Sequence, residues 1–169
     1  MKSKIIGIIA SATIIAADLC FADWQSKTTT DPITDERDVT IVAPGDKIRM
    51  SDLLDYVPYI CIRIQPHKRK PGKFEAETYF AIQTEGIRRG ESEIIVRFDR
   101  EKARTETVTA STDRRAGFFA RPAPIVHEML AHTNMTIRYE TTLGHIRTTT
   151  FNLSNLSNAI ENAKSTLKQ

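Results

Sequence analysis

The chain has 169 residues, of which 24 are lysine or arginine and 21 are aspartate or glutamate, and its formal net charge is +3 at pH 7. Because the positive and negative charges nearly balance, net charge alone gives no reason to assign the protein to nucleic-acid or membrane binding. The 2 cysteines are too few for the disulfide framework of a small secreted protein, whereas the length suits one domain with a hydrophobic core.

Residues 1–22 have the pattern of a secretory signal peptide. Lys2 and Lys4 precede a short apolar stretch, and small residues before Asp23 suit cleavage by a signal peptidase. The apolar stretch is shorter than a helix that crosses the roughly 30 Å of membrane hydrocarbon. We therefore expect export to the periplasm, with the signal peptide removed and residues 23–169 remaining as a single β-rich domain.

The two cysteines have different expected fates. Cys20 raises the alternative of a lipoprotein, but Leu19 stands where that processing needs a small residue, so lipid anchoring through Cys20 is not expected. Cleavage leaves Cys61 alone, and one cysteine cannot form an internal disulfide. Cys61 lies in an apolar run that predicts a buried strand. We expect a small inert residue there, with an intermolecular bridge or a nucleophile as the alternatives.

Most of the mature chain alternates apolar and polar side chains, which is the pattern of β-strands. The predicted strands cover residues 24–30, 39–42, 58–65, 74–83, 93–99, 104–110, 135–140 and 146–153, and residues 118–119 open a further apolar patch. Residues 47–57 are ambiguous, and their apolar spacing fits a short helical turn capped by Ser51. That turn would align Met50, Leu53, Leu54 and Val57.

Two segments have the helical period instead. The first begins at Pro124, a residue type favoured at helix starts, and the second follows Ser154, which can act as a cap. Their apolar residues are Ile125, Val126, Met129 and Leu130 in the first helix, and Leu156, Ala159, Ile160, Ala163 and Leu167 in the second. Short strands with two helices predict a mostly β fold. We expect an antiparallel β-sandwich or open barrel with a short internal helix and a C-terminal helix.

The residues with reactive side chains do not form a recognisable catalytic or metal-binding motif. His127 and His132 are five positions apart, a spacing that does not align two side chains on one helix face as a zinc motif requires. Residues 31–38 are acidic enough for a calcium loop but lack its order of ligands, so a turn with local hydrogen bonds is the favoured interpretation. We expect no catalytic residue, no metal and no cofactor.

One loop between two predicted strands carries the densest basic run of the chain. The run consists of His67, Lys68, Arg69 and Lys70. It could bind an acidic partner or an anionic envelope polymer, or it could be a solvated hairpin tip. The arginine pair at 114–115 would extend this surface only if its loop is a neighbour of loop 66–73.

Several separated pieces of the sequence occur in a characteristic order. They are Trp24, residues 31–35, Arg63 in the strand after Pro58, residues 96–99, residues 111–113 with Ala116 and Phe118, and residues 151–156 before the final helix. In this order and spacing the chain resembles the periplasmic accessory proteins associated with type VI secretion, the TagO/VasI-like family, whose relatives also occur in prophages. The resemblance implies a small β-rich envelope domain that is not an enzyme.

Four polar residues in or beside the matching pieces are candidate binding residues. They are Arg63, Arg97, Asp99 and Asp113. A structural role is the alternative for each of them. An arginine beside an aspartate can tie two strands together through paired hydrogen bonds, and an aspartate after serine and threonine is typical of a turn.

Together these patterns predict an exported, non-enzymatic accessory or binding protein of the periplasm, whose partner is an envelope or secretion-system protein. One alternative is an inhibitor or immunity protein that acts on a cell-wall-degrading enzyme through loop 66–73 or loop 111–117. A second alternative is an uncharacterised envelope hydrolase with a site dispersed over several strands. We expect no nucleic-acid partner, and no transmembrane segment after the signal peptide is cleaved.

Overall fold

A computed structural model describes residues 24–51 and 54–168 of the chain. The expected signal peptide, Cys20 and Leu53 lie outside the described residues. In the described part the strands are β1 (Gln25–Thr30), β2 (Arg37–Pro44), β3 (Ile48–Ser51), β4 (Leu54–Tyr56), β5 (Tyr59–Pro66), β6 (Phe74–Ala81), β7 (Glu91–Phe98), β8 (Arg104–Ala110), β9 (Ala116–Phe119), β10 (Asn134–Glu140) and β11 (Ile146–Asn152), and the helices are α1 (Pro122–Ala131) and α2 (Leu156–Thr166). Neither of these helices combines the length and the apolar character that crossing a membrane requires.

Nine strands form one antiparallel sheet in the order β1-β2-β5-β6-β9-β8-β7-β10-β11, and β3 pairs with β4 in a separate hairpin. The sheet curls into a half-barrel. A bridge between Gly45 and Phe151 connects the chain just after β2 to β11, which brings the two flanks of the curl together. The predicted mostly β class, with one internal and one C-terminal helix, is confirmed.

The alternation of apolar and polar residues places one face of the curled sheet in the core, because side chains two positions apart point to the same side of a strand. In β5 the buried side chains of this face are Ile60, Ile62 and Ile64. Helix α1 packs against β6 and β9, and α2 packs against β2 and β1. The helices contribute Ile125, Met129, Leu156, Ile160 and Ala163 to the same core. Burial of each large apolar side chain contributes roughly 1.5–3 kcal/mol, so these contacts hold the helices on the sheet.

The prediction of a helical turn in residues 47–57 is wrong. The hairpin of β3 and β4 occupies this segment, and Ile48 and Tyr56 are buried there. The Tyr56 hydroxyl lies 2.7 Å from the Tyr139 hydroxyl, so the hairpin is hydrogen-bonded to β10. In so short a segment, packing against the sheet outweighs the local spacing of apolar residues.

Both predicted helices are present, but they begin at different residues than the sequence suggests. Helix α1 begins at Pro122 rather than Pro124, and Asn155 rather than Ser154 occupies the cap position of α2. Asn155 has a left-handed backbone with a φ of 65° and makes no side-chain capping bond. Asparagine tolerates this backbone better than most residues, so the turn from β11 into α2 depends on its conformation rather than on its side chain.

The strand directions divide the loops between two ends of the sheet. Residues 82–90, 111–115 and 141–146 lie at the end where β6 finishes, and we call these residues the loop end. Loops 67–73 and 99–103 lie at the opposite end, from which both helices start. Strand β6 has 8 residues, which at about 3.3 Å per residue keeps the two ends roughly 25 Å apart.

Cys61 is buried in β5, as the sequence predicts, and its side chain points to the face opposite Ile60 and Ile62. Burial raises the pKa of the Cys61 thiol to about 12. Because the thiolate is the nucleophile, we expect a maleimide to modify the folded protein at least about 100-fold more slowly than the urea-unfolded protein. The time course of modification, followed by mass spectrometry, measures this ratio. Rapid modification of the folded protein would contradict the burial of Cys61.

Candidate functional site at the loop end

The three segments of the loop end are joined to one another by backbone hydrogen bonds. The amide of Ile82 donates to the carbonyl of Arg115 at 2.8 Å, and the amide of Ile87 donates to the carbonyl of Arg114 at 2.7 Å. The third segment is attached by the amide of Thr142, which donates to the carbonyl of Gly86 at 3.1 Å. These bonds fix the segments relative to one another, so the surface is already formed before anything binds.

Gly86 lies at the point where the three segments meet. A Cβ atom built on Gly86 would lie 3.4 Å from Cβ of Arg114 and 3.4 Å from Cγ2 of Thr142. Gly86 has a φ of 67°, a backbone conformation that glycine adopts without steric cost. Glu85 and Arg114 are also in the left-handed region, with φ values of 59° and 62°. The close approach of the segments therefore depends on unusual backbone turns.

The side chain of Glu85 anchors the loop end to β11. The guanidinium of Arg147 donates to both carboxylate oxygens, from Nη2 at 2.7 Å and from Nε at 2.9 Å. Nδ1 of His145 lies 2.7 Å from the same carboxylate, and the hydroxyl of Thr142 donates to the Glu85 carbonyl. The Glu85 side chain is only 2% exposed. Paired hydrogen bonds of this kind are among the strongest that side chains make.

The chemistry available to Glu85 follows from these partners. The hydrogen bonds from Arg147 hold the pKa of the Glu85 carboxyl below its ordinary value, with a further contribution from His145. At neutral pH the carboxylate is therefore ionised and bonded through both oxygens, which suits an anchor and not a proton donor. A general acid needs the opposite shift in pKa.

A cleft of about 200 Å³ opens beside this anchor. It is lined by Gln83, Thr84, Glu85, Gly86, Asp113, Arg114, Arg115 and Thr142. Pockets for small organic ligands usually have volumes of about 300–1,000 Å³ and mainly apolar walls. This cleft is smaller and mostly polar, so its size and lining fit a surface contact better than an enclosed ligand.

Around the cleft the loop end exposes cations beside apolar side chains. Its exposed arginines are Arg88, Arg89, Arg114 and Arg115. Among the described residues, only Arg88 of these four has an acidic partner within 4 Å, which is Glu140 at 3.8 Å. Leu143 is 67% exposed and Ile146 is 61% exposed. In the described part of the chain, the loop end thus offers three arginines without an acidic group within 4 Å, together with uncovered aliphatic surface.

Asp113 is the one candidate binding residue from the sequence that lies at the loop end. Its Oδ1 accepts from the Ser111 hydroxyl at 2.6 Å and from the Arg115 amide at 3.1 Å. The Ser111 bond comes first among the causes that lower the pKa of the Asp113 carboxyl. Asp113 therefore shapes the turn that presents Arg114 and Arg115, which agrees with the structural alternative for this residue.

The basic run lies at the other end of the sheet and does not join the arginine pair at 114–115. Nζ of Lys68 lies 3.0 Å from a carboxylate oxygen of Glu36, and Nδ1 of His67 lies 3.1 Å from one of Glu75. Arg69 and Lys70 are exposed at the hairpin tip. The two loops are therefore not neighbours, so the condition for one continuous basic surface is not met, because β6 separates them.

The remaining binding candidates lie away from the loop end, two of them on strands and Asp99 in the turn that follows β7. Arg63 has Glu77 as an acidic neighbour at 3.6 Å, and Arg97 is exposed in β7. Asp99 accepts the backbone amides of Thr133 at 3.1 Å and Asn134 at 2.9 Å. These bonds replace the expected arginine–aspartate fork, and they make Asp99 a structural residue.

The acidic segment at residues 31–38 is a turn. Oδ1 of Asp31 accepts the amides of Ile33 at 2.7 Å and Thr34 at 3.0 Å, and the hydroxyl of Thr34 accepts the amide of Glu36 at 3.4 Å. These are the local hydrogen bonds that the favoured interpretation predicts.

Comparisons of the chain with protein-family models, with curated proteins and with solved structures give no match. The fold and the surface alone therefore define the class of this protein. It is a curled antiparallel half-barrel with two helices on its buried face and a cationic, partly apolar loop end.

Proposed function

We propose that this protein is an exported, non-enzymatic binding protein of the periplasm, and that the loop end binds an acidic surface of an envelope or secretion-system protein. Export is supported by the signal-peptide pattern of residues 1–22. The role of an accessory is what the resemblance to the type VI secretion-associated family implies. The observation that carries the proposal is that Arg89, Arg114 and Arg115 have no acidic partner among the described residues and share the loop end with the exposed Leu143 and Ile146, on loops fixed by backbone hydrogen bonds.

The composition and the rigidity of this surface both favour protein binding. Arginine is enriched in protein interfaces and among the residues that contribute most to affinity, whereas lysine is depleted there. The loop end has four exposed arginines, while the hairpin tip at 67–73 relies largely on lysine. Ordering a flexible loop on binding costs free energy, and the bonds that join residues 82–90, 111–115 and 141–146 reduce that cost.

An inhibitor of a cell-wall-degrading enzyme is the second candidate, and it would use the same surface. Most such enzymes carry catalytic carboxylates, and the arginines at 114–115 have the charge to bind them. One measurement separates the two candidates, since only an inhibitor lowers the catalytic rate of the enzyme that it binds. The hydrolase alternative has less support, because the most enclosed carboxylate of the loop end, that of Glu85, is held by Arg147.

The test is crosslinking in the periplasm of the native host, using the full-length protein with a C-terminal tag. N-terminal sequencing of the purified protein should begin at Asp23, and mass spectrometry should identify one main crosslinked protein. We expect Arg114→Glu combined with Arg115→Glu to reduce recovery of that protein at least tenfold, because both substitutions put negative charge opposite an acidic surface.

Arg69→Glu combined with Lys70→Glu is the matched control, since it reverses the same amount of charge at the opposite end of the sheet. Recovery should be unchanged in this variant. Equal losses in both variants, or an empty crosslink from correctly processed protein, would overturn the proposal. A partner that loses activity on binding identifies the inhibitor, and release of fragments from purified cell wall by this protein alone identifies a hydrolase.

A further inference from the structure

A histidine and two glutamates converge at the end of the sheet opposite the loop end. Glu101 lies in the turn between β7 and β8, Glu128 lies in α1, and His132 follows α1 directly. One ligand atom from each of the three side chains lies within 4.8 Å of the other two. Glu128 and His132 are four positions apart, which aligns them on one side of the helix end.

His132 is oriented with one ring nitrogen toward Glu101. Its side chain is 15% exposed, and its ring lies against that of Phe98 with 5.1 Å between centroids. Nδ1 lies 2.8 Å from the backbone carbonyl oxygen of Glu128. A carbonyl and a carboxylate both only accept, so Nδ1 donates to the carbonyl and Nε2 donates to Glu101 when the ring is protonated. A metal ion at Nε2 would replace that second proton and leave the Nδ1 hydrogen bond in place. Metal-binding histidines are held by their other ring nitrogen in this same way.

The distances suit a metal ion between the ligands. Nε2 of His132 lies 3.1 Å from Oε1 of Glu101. Two donor atoms at about 2.0–2.1 Å from zinc, separated by a tetrahedral angle, are about 3.3–3.4 Å apart. An ion therefore needs only a small movement of Glu101, whose side chain is 56% exposed and free to adjust.

The local charge also favours a cation. Glu101 and Glu128 carry two negative charges, and the carboxylate of Asp99 is close enough to act on His132 electrostatically. The nearest balancing cation is the guanidinium of Arg104, which lies 3.6 Å from Oε1 of Glu128 and leaves Oε2 without this contact. With a neutral imidazole the group is negative overall, so a divalent ion would balance its charge.

We propose that Glu101, Glu128 and His132 bind a divalent transition-metal ion of the Zn²⁺ class. The imidazole selects such an ion over Ca²⁺ and Mg²⁺, which prefer sites built from oxygen alone. Three protein ligands at a surface leave the remaining coordination positions to water. Bound metal would tie the β7–β8 turn to the end of α1, and it would do so independently of the loop end.

The test uses the processed protein, purified with a tag that contains no histidine and stripped of metal with a chelator. Titration with Zn²⁺ in a calorimeter should give one equivalent bound with a dissociation constant of about 10 µM or lower. Co²⁺ should give visible absorption bands typical of a nitrogen- and oxygen-ligated ion, and Zn²⁺ should remove them. A large excess of Ca²⁺ should leave the Zn²⁺ titration unchanged.

Glu101→Gln and His132→Gln should each weaken Zn²⁺ binding at least tenfold. Glu101 lies in an exposed turn, so Glu101→Gln should fold even if His132→Gln does not. Zn²⁺ binding can then still be measured in the Glu101 variant. His67→Gln is the matched control, because His67 contacts Glu75 at the same 3.1 Å distance but belongs to no three-residue group in the described chain. Absence of Zn²⁺ binding, or unchanged binding in both site variants, would overturn the site and leave His132 as an ion-pair partner of the glutamates.

Discussion

Replacing Glu85 with glutamine should destabilise the protein by about 2 kcal/mol and loosen the loop end, because the substitution removes the charge that holds Arg147 and His145. Breaking a fully buried ion pair costs about 3–5 kcal/mol. The expected loss is smaller here, since His145 is exposed and water can reach the site. Urea unfolding gives the free-energy change, and hydrogen exchange at residues 82–90 reports the loosening.

Glu161→Gln is the control for this substitution, because Glu161 forms an exposed pair with Lys164 on α2. Its unfolding midpoint should not change, as exposed ion pairs contribute little. If both variants unfold at the midpoint of the unsubstituted protein, the Glu85 anchor does not stabilise the loop end.

The effect of Glu85→Gln should depend on pH in one direction. The folded-state pKa of the Glu85 carboxyl is lowered, so its contribution is complete above the ordinary pKa of about 4.3 and is lost as the pH falls through the lower folded value. The stability difference between the two proteins should be present at neutral pH and should shrink as the pH falls through the lowered folded pKa of Glu85. A difference that grows on acidification would show that Glu85 is protonated in the folded protein.

Gly45→Ala should destabilise the protein by about 2 kcal/mol, because a side chain there collides with the opposite flank of the half-barrel. A Cβ atom on Gly45 would lie 2.5 Å from Oγ1 of Thr149 and 2.7 Å from Cε1 of Phe151. Both residues are buried, and Thr149 also donates to the carbonyl of Asp46 at 3.2 Å. The methyl group would therefore force apart the bridge that joins the two flanks. Thermal and urea unfolding measure the loss.

Gly72→Ala separates this collision from ordinary backbone strain. Gly72 has a φ of 77° with nothing within 4 Å of a built Cβ, so alanine there meets open space and costs only about 1 kcal/mol of strain. Gly45→Ala should be the more damaging change although its backbone needs no left-handed conformation. The reverse order would indicate that the flanks separate easily to admit a methyl group.

The strands were largely predictable because their pattern is local. Residues 104–110 alternate charged and β-branched side chains, and β8 covers the same residues. Residues 93–99 were predicted as a strand, and β7 runs from Glu91 to Phe98. The helical turn predicted for residues 47–57 is wrong for a physical reason. The buried partner of Tyr56 is Tyr139, which is 83 positions away, and no pattern within the segment encodes that contact.

The loop end could be predicted only in part. Glycines at 86 and 90 between two predicted strands are typical of a turn, and the structure has a loop between β6 and β7 there. The sequence does not indicate that Glu85 pairs with Arg147, which is 62 positions away. That contact depends on the order of strands β9, β8, β7 and β10 in the sheet, whereas local patterns specify only which residues form strands. The convergence of Glu101 with Glu128 and His132 has no local signal, because β8 and β9 lie between them in the sequence and only the fold brings them together.

The joining of the two flanks has a consequence for how the chain reaches its native state. The bridge between Gly45 and Phe151 and the packing of α2 on β2 connect the first strands to the last residues of the domain. Contacts between such distant parts of a chain form late and slow the folding rate. Strands β1, β2, β5 and β6 can pair early as neighbouring hairpins, but the apolar side of β2 stays uncovered until α2 arrives. Until α2 packs on β2, that uncovered apolar surface would be open to aggregation.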